Sequence, residues 1–213
     1  MMAGWSGWND KGDSAGSRDT IRALRAGDMV LLDGEITVTA GLPTIQRLVE
    51  CAAGTRELPR RLDGAALFHL GSYSQETADG GLEILYMNPT TSTRFNPLMP
   101  GLIRHFGLSM VGGKGGLDTE CAAVMAEVGC VYLSFLGGGA ELHTAAIREV
   151  VSVHWSDLVA HYRLVTLRVE GLGPQTVGID AQGGNLYAAL ATQAAARLPG
   201  ILAGLEAQRR AQG

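Results

Sequence analysis

Cysteine is scarce in this chain. Among 213 residues there are three, Cys51, Cys121 and Cys130. An odd count excludes a closed disulfide framework and fits a reducing compartment. The chain also lacks any C-x-x-C or His-rich spacing that would hold a metal or cluster. Cys121 and Cys130 flank a helical stretch nine residues apart, half a turn out of phase, so they do not converge on one side. All three read as buried small hydrophobes. A basic excess is missing too: 17 Lys and Arg stand against 21 Asp and Glu, a net charge of −4. That excludes the basic face a nucleic-acid partner requires, and an anionic ligand would need local cations. No apolar run is long enough to span a bilayer, and the first residues carry no secretory signal. The expected location is the cytoplasm, away from membranes.

Glycine is abundant at 30 residues, while aromatics are 6% and charged residues 18%. With 46% hydrophobic residues the chain is globular. Many glycines mean tight turns and close backbone approaches, which suits an α/β protein with functional loops. Residues 1–20 read as a flexible N-terminal arm, with Trp5 and Trp8 available as anchors on a partner. Residues 21–213 read as one domain. "MVLLDGEITVTA" (29–40) reads as a hairpin turning at Asp33-Gly34. "PTIQRLVECAAG" reads as a helix with Pro43 at its start.

"AALFHLG" and "LEILYMN" are apolar strands around a polar loop, and a helix near 97–106 leads into the strand "LSMVGG". "LDTECAAVMAEVG" is a helix capped near Asp118 and stopped by Gly129. "CVYLSF" is a buried strand, and a helix follows "LGGGAEL" to about Glu149. "VVSVHW", "YRLVTLRVE" and "QTVGIDAQG" add strands. The alanine-rich end is helical, with Pro199 interrupting it. The expected fold class is α/β: a single domain with a mixed β-sheet flanked by helices.

The densest chemistry runs from residue 88 to 116, "NPTTSTRFNPLMPGLIRHFGLSMVGGKGG". Four hydroxyls, Thr90 to Thr93, follow a strand and precede Arg94. Ligands of open α/β sheets bind outside such strand ends, and an arginine fork matches a carboxylate or phosphate. Lys114 stands between glycine pairs, after a strand and before a helix, where free N–H groups and the helix start favour an anion. The P-loop spacing is absent. An ordinary hydroxyl-rich turn and an ordinary glycine turn with solvated cations remain open for both stretches. "FLGGGAEL" repeats the theme of strand, glycine run and helix. Of the histidines, His69 reads as a core residue, and His154 has Asp157 three positions on, a spacing open to an acid–base pair.

Taken in order, "NPTTSTR", "GGKGG", "GGGAEL", "VHWSDL" and "IDAQGGNLY" resemble the β subunit, or C-terminal half, of iron–sulfur class I fumarases and L(+)-tartrate dehydratases. "LRAGDMVLLDGEITVTA" resembles that family's entry into its first hairpin. The resemblance spans roughly residues 22–190, and "VHWSDL" looks closer to the tartrate type. It implies the swivelling β/β/α fold of the fumarase C-terminal domain and reversible hydration of a small dicarboxylic acid. It implies that Thr90 lies near the reacting carbon, and that Arg94, Lys114 and Thr91 bind substrate. It also implies a four-iron four-sulfur cluster acting as Lewis acid, held by a partner α subunit and not by this chain, and homodimerisation of αβ units. Two positions depart from the family's pattern. Asn88 replaces a glycine, and Gly41-Leu42 replace an Arg-Asp pair that also holds substrate. Arg47 or a partner residue then takes over, or the substrate differs, or the site has decayed to a non-catalytic anion-binding module.

Overall fold

The computed structural model describes residues 2–4, 15–78 and 82–212. In chain order its elements are β1 (Met2–Gly4), α1 (Ala15–Ala23), β2 (Met29–Val38), α2 (Leu42–Ala52), β3 (Ala66–Phe68), β4 (Leu70–Glu76), β5 (Leu82–Pro89), α3 (Met99–Phe106), β6 (Met110–Gly113), α4 (Thr119–Val128), β7 (Val131–Ser134), α5 (Ala140–Ala145), β8 (Ile147–His154), β9 (Leu164–Ile179) and α6 (Leu186–Gln212). Trp5 and Trp8 lie outside the described residues. Residues 15–20, expected as the end of an arm, belong to α1, and Ile21 on that helix is buried.

The main sheet is mixed, as expected, but it is not flat and open. Its order is β1-β2-β3-β6-β7-β9-β8, and β9 also pairs with β2. β2, β3, β6 and β7 run parallel, and β9 returns antiparallel to both β2 and β7, which closes a ring. Alternation along each strand divides the core in two. Val38, Phe68, Leu133 and Val165 pack with one another on one side of the strands. Leu67, Val111 and Tyr132, one residue out of step, pack on Ile45 and Leu48 of α2, Leu102 and Ile103 of α3, and Cys121 and Met125 of α4. Helices thus flank the sheet as expected: α2, α3 and α4 cover one half of the core, while Ile21 of α1 packs into the other, which the ring of strands encloses.

Four local expectations change. The hairpin at Asp33-Gly34 does not form, and β2 runs straight through it. Gly34 takes φ 112° where the pairing of β2 with β9 shifts register, so this glycine serves a bulge and not a turn. Asp33 accepts the Gly171 N–H at 2.6 Å, which ties the bulge to β9. The two strands expected from "YRLVTLRVE" and "QTVGIDAQG" are one 16-residue strand, β9. The helix expected to reach Glu149 stops at Ala145, because residues 147–154 pair with β9. Pro199 does not interrupt α6, which continues through it for 27 residues. A proline leaves one carbonyl of the preceding turn without a donor, and the residues around it on this helix are exposed to solvent.

Other local signals act as expected. Asp118 caps α4 by accepting the Cys121 N–H at 2.9 Å, and Gly129 ends that helix in the left-handed region. Cys121 and Cys130 are buried, Cys51 is half-buried, and none is paired. Burial pushes the Cys121 thiol up to about 12, so it stays protonated and inert. Among the described residues no helix is long and apolar enough to cross a membrane.

Candidate active site

The parallel strands β2, β3, β6 and β7 all end on one edge. Val38 pairs with Phe68, Phe68 with Gly112, and Gly112 with Leu133. Just beyond this row the sheet opens to admit another piece of chain. The β4–β5 hairpin leaves after His69 and returns with Pro89 opposite Leu70. Residues 90–92 then enter between the ends of β3 and β6. Thr90 donates its N–H to His69 O at 2.8 Å, Lys114 donates to Thr90 O at 3.0 Å, and Ser92 donates to Lys114 O at 2.8 Å. "TTSTR" and "GGKGG" are therefore hydrogen-bonded neighbours at the carboxyl edge of the sheet, where α/β proteins bind ligands.

Gly113 makes this possible. It takes φ 156°, and a Cβ there would stand 2.4 Å from Ser92 Oγ and 3.0 Å from His69 Cβ. Only glycine lets the backbones approach so closely.

Arg94 and Lys114 are both exposed. Arg94 donates through Nε to Thr91 O at 3.4 Å and through Nη2 to the hydroxyl of Thr90. Its guanidinium carbon stands 5.7 Å from the centre of the Phe95 ring. Thr91 forms a bridge with Lys114 through the backbone. A Cβ on Gly137 would lie 3.7 Å from Lys114 Cδ, so the lysine stem runs beside the "LGGGAEL" loop. His143 latches that loop by donating from Nε2 to Leu136 O at 3.1 Å. The last of the ordered motifs arrives as well: the Tyr187 ring covers Gly116, where a Cβ would fall 2.6 Å from Cδ2.

Beneath the exposed residues lies a buried polar chain. Gly116 N–H donates to the Tyr132 hydroxyl at 3.3 Å, Tyr132 donates to Ser92 Oγ at 2.8 Å, and Ser92 meets His69 Nδ1 at 2.8 Å. With Tyr132 donating to it, Ser92 passes its own proton toward Nδ1. The His69 proton then sits on Nε2, which has no partner. Among four successive hydroxyls the sequence gives no sign that Ser92 is the fully buried one. Its role follows from the inserted register.

Complete burial, with a smaller push from Arg94, lowers His69 from 6.5 to about 3. Below pH 6.5 the unfolded chain takes up a proton that the folded chain refuses. His69 therefore contributes stability that is full above 6.5 and lost as pH falls toward 3, by about 1.4 kcal/mol per unit. Urea titrations at pH 7.5 and 5.0 test this: wild type should lose roughly 2 kcal/mol more than His69→Asn over that interval. Equal losses would assign the acid sensitivity to other groups.

The expectations around Gly41 resolve differently. Arg47 is a bidentate partner of Asp157, with one bond at 2.9 Å, and lies 5.6 Å from the centre of the Trp155 ring. The hydrogen bonds hold Arg47 further above, and Asp157 further below, their ordinary values. Arg47 is thus engaged and does not supply a free clamp. The His154–Asp157 pair does not form, because Asp157 belongs to Arg47.

Gly41 is buried under the turn at 160–162. A Cβ there would stand 2.6 Å from Tyr162 Cβ and 3.0 Å from its Cα. That turn is fastened down, since Tyr162 O accepts from the hydroxyls of Thr39 and Thr44, and His161 O accepts the Ala40 N–H at 3.1 Å. We expect Gly41→Ala to cost about 1–3 kcal/mol in a urea titration through overpacking. The backbone at Gly41, φ −94° and ψ 125°, suits any residue, so a neutral result would mean that the 160–162 turn yields easily.

Among the described residues no group of three His, Cys, Asp or Glu is placed to hold a metal ion.

Comparison with known proteins gives the family. The profile of the family described as Fumarase C-terminus matches residues 11–190. The L(+)-tartrate dehydratase subunit beta of Escherichia coli (strain K12) is 32% identical over 175 residues, covering 80% of this chain and 82% of that protein. A putative L(+)-tartrate dehydratase subunit beta of Methanocaldococcus jannaschii is 28% identical over 172 residues, covering 80% and 87%. A putative fumarate hydratase class I of Geobacillus stearothermophilus is 28% identical over 171 residues, which are 80% of this chain and 32% of that longer protein.

Proposed function

The chain belongs to the fumarase C-terminus family, that of the beta subunits of hydro-lyases, and from this we propose that it completes the active site of an enzyme that reversibly hydrates a small dicarboxylic acid. The substrate is tartrate, fumarate or a close analogue, and the other half of the site comes from an α-type subunit. One observation carries the reading: Arg94 donates to the Thr90 hydroxyl while Thr90 and Ser92 hold the backbone of Lys114. Two cations and a hydroxyl thus share one patch of the carboxyl edge.

Each residue has a task that its chemistry suits. Arg94 presents a planar fork to one carboxylate. Lys114 is a compact point charge on a flexible stem, suited to the charge that develops on the second carboxylate as the adjacent carbon gains or loses a proton. Thr90 alone would be a poor acid or base. With a guanidinium donating to its oxygen, its own proton is more readily given, and the remaining valence turns to the substrate. Thr91 borders the substrate beside Lys114, to which its backbone is bridged.

The four-iron four-sulfur cluster belongs, in this proposal, to the α-type partner. The described residues here contain no set that would ligate it. When bound, it would supply the Lewis acid for the hydroxyl that is added or lost.

The test is anaerobic co-expression with an α-type subunit, followed by assays with L-tartrate and with fumarate. A complex that forms but turns over neither acid, nor any other unsaturated or hydroxylated dicarboxylate, would sink the proposal. Gly41 favours a second reading, an anion-binding module without catalysis. Dicarboxylate binding by a complex that is inactive on all of them would select it.

A further inference from the structure

Two loops carry the cations, and neither is stiff by itself. The Lys114 loop has glycines on both sides, with Gly115 at φ 85° and Gly116 at φ 80°. Glycine leaves such backbone wide conformational freedom. The Arg94 loop is a 3-10 stretch, Ser92–Phe95, with no side-chain cap. One side chain is bonded to both. Tyr132, on β7, accepts the Gly116 N–H and donates to Ser92 Oγ. It is fully buried, it has the Tyr187 ring edge-on at 5.9 Å, and burial raises its hydroxyl well above the ordinary tyrosine value. The hydroxyl is therefore a neutral, rigid link with one donor and one acceptor function, both used.

We propose that Tyr132 is a positioning residue that fixes the span between Arg94 and Lys114, and through it the length of dicarboxylate the site accepts. Tyr132 touches no substrate. It joins the two loops at their inner sides, and Ser92 carries the link on to His69, whose backbone holds Thr90. Two cations at a fixed separation favour the diacid whose carboxylates match it. Two cations on loose loops grip several lengths, each less well, because ordering the loops must then come out of the binding energy. This inference rests on the dicarboxylate reading given above.

The experiment compares wild type, Tyr132→Phe and Ser92→Ala, each as the full chain in complex with its α-type partner. Malonate, succinate and glutarate serve as competitive inhibitors, and amide hydrogen exchange is followed at Ser92 and Gly116. We expect the ratio between the best and next-best inhibition constants to shrink at least about fivefold in either variant, with unfolding midpoints within a few degrees of wild type. The double variant should add little, since both substitutions cut one chain of bonds. Exchange at Ser92 and Gly116 should quicken while distant amides keep their rates. A uniform weakening of all three diacids, with the ratio kept, overturns the proposal and leaves a purely structural role. So does unchanged exchange at Gly116. Failure of wild type to bind any of the diacids overturns the dicarboxylate reading itself, a result separate from the other two. If Tyr132→Phe does not fold, Ser92→Ala removes the same link from the other end and decides the matter.

Discussion

Replacing Arg94 with methionine is expected to lower kcat/KM for the dicarboxylate about a hundredfold, or ~2.7 kcal/mol. Two losses combine in this variant. The fork proposed to meet a carboxylate is gone, and so is the donor on the Thr90 hydroxyl. Loss of ground-state binding alone would raise KM and spare kcat, whereas loss of Thr90 polarisation must also lower kcat. The expected result is therefore a change in both. Arg94→Lys keeps the charge but neither the fork nor the fixed contact with Thr90, so it should recover only part of the loss. Stability should hardly move, because the Arg94 side chain is exposed and its contacts are local. Wild-type kinetics for Arg94→Met, measured on the complex by the absorbance of an unsaturated product, would remove this residue from the site.

Lys114→Met should cost at least about tenfold in kcat/KM, or ~1.4 kcal/mol. The segment bearing it stays in place in the variant, since its hydrogen bonds to Thr90 and Ser92 are made by the backbone. The methionine stem can lie along Gly137 as the lysine stem does. A drop in rate then reports the lost charge and not a displaced loop. Raising the salt concentration should weaken substrate binding in wild type more than in the variant, because an exposed cation is screened. Unchanged kinetics would remove Lys114 from the proposed site. The double variant should fall short of the sum of the two effects, as the residues sit on bonded neighbouring segments.

The candidate site was largely legible in the chain, for a chemical reason. Hydroxyls before an arginine and a lysine among glycines are local patterns, and each sits at a strand end that alternation and apolar runs reveal. The cap at Asp118, the stop at Gly129 and the helices α2, α3 and α4 are equally local. The misreadings share one cause. Asp33-Gly34 has the composition of a turn, but Gly34 serves a bulge because β2 is paired along its length with β9, more than a hundred residues on. Glu149 was expected on a helix, and β9 recruits it into β8. Arg47 looked free to replace a missing clamp, and Asp157 already holds it.

The sequence by itself determined the parts: which residues carry charge, where strands and helices begin, and that the two loops are rich in glycine and hydroxyl. Tertiary structure decided their adjacency. Residues 90–92 insert between His69 and Lys114, Tyr162 closes over Gly41, and Tyr132 joins the two cation-bearing loops from below. Each of these contacts depends on the register between distant strands, and a shift of one residue would turn every side chain of a strand to the other face. Local propensity does not encode that register. It is set when the whole ring of strands closes and the two halves of the core are buried at once.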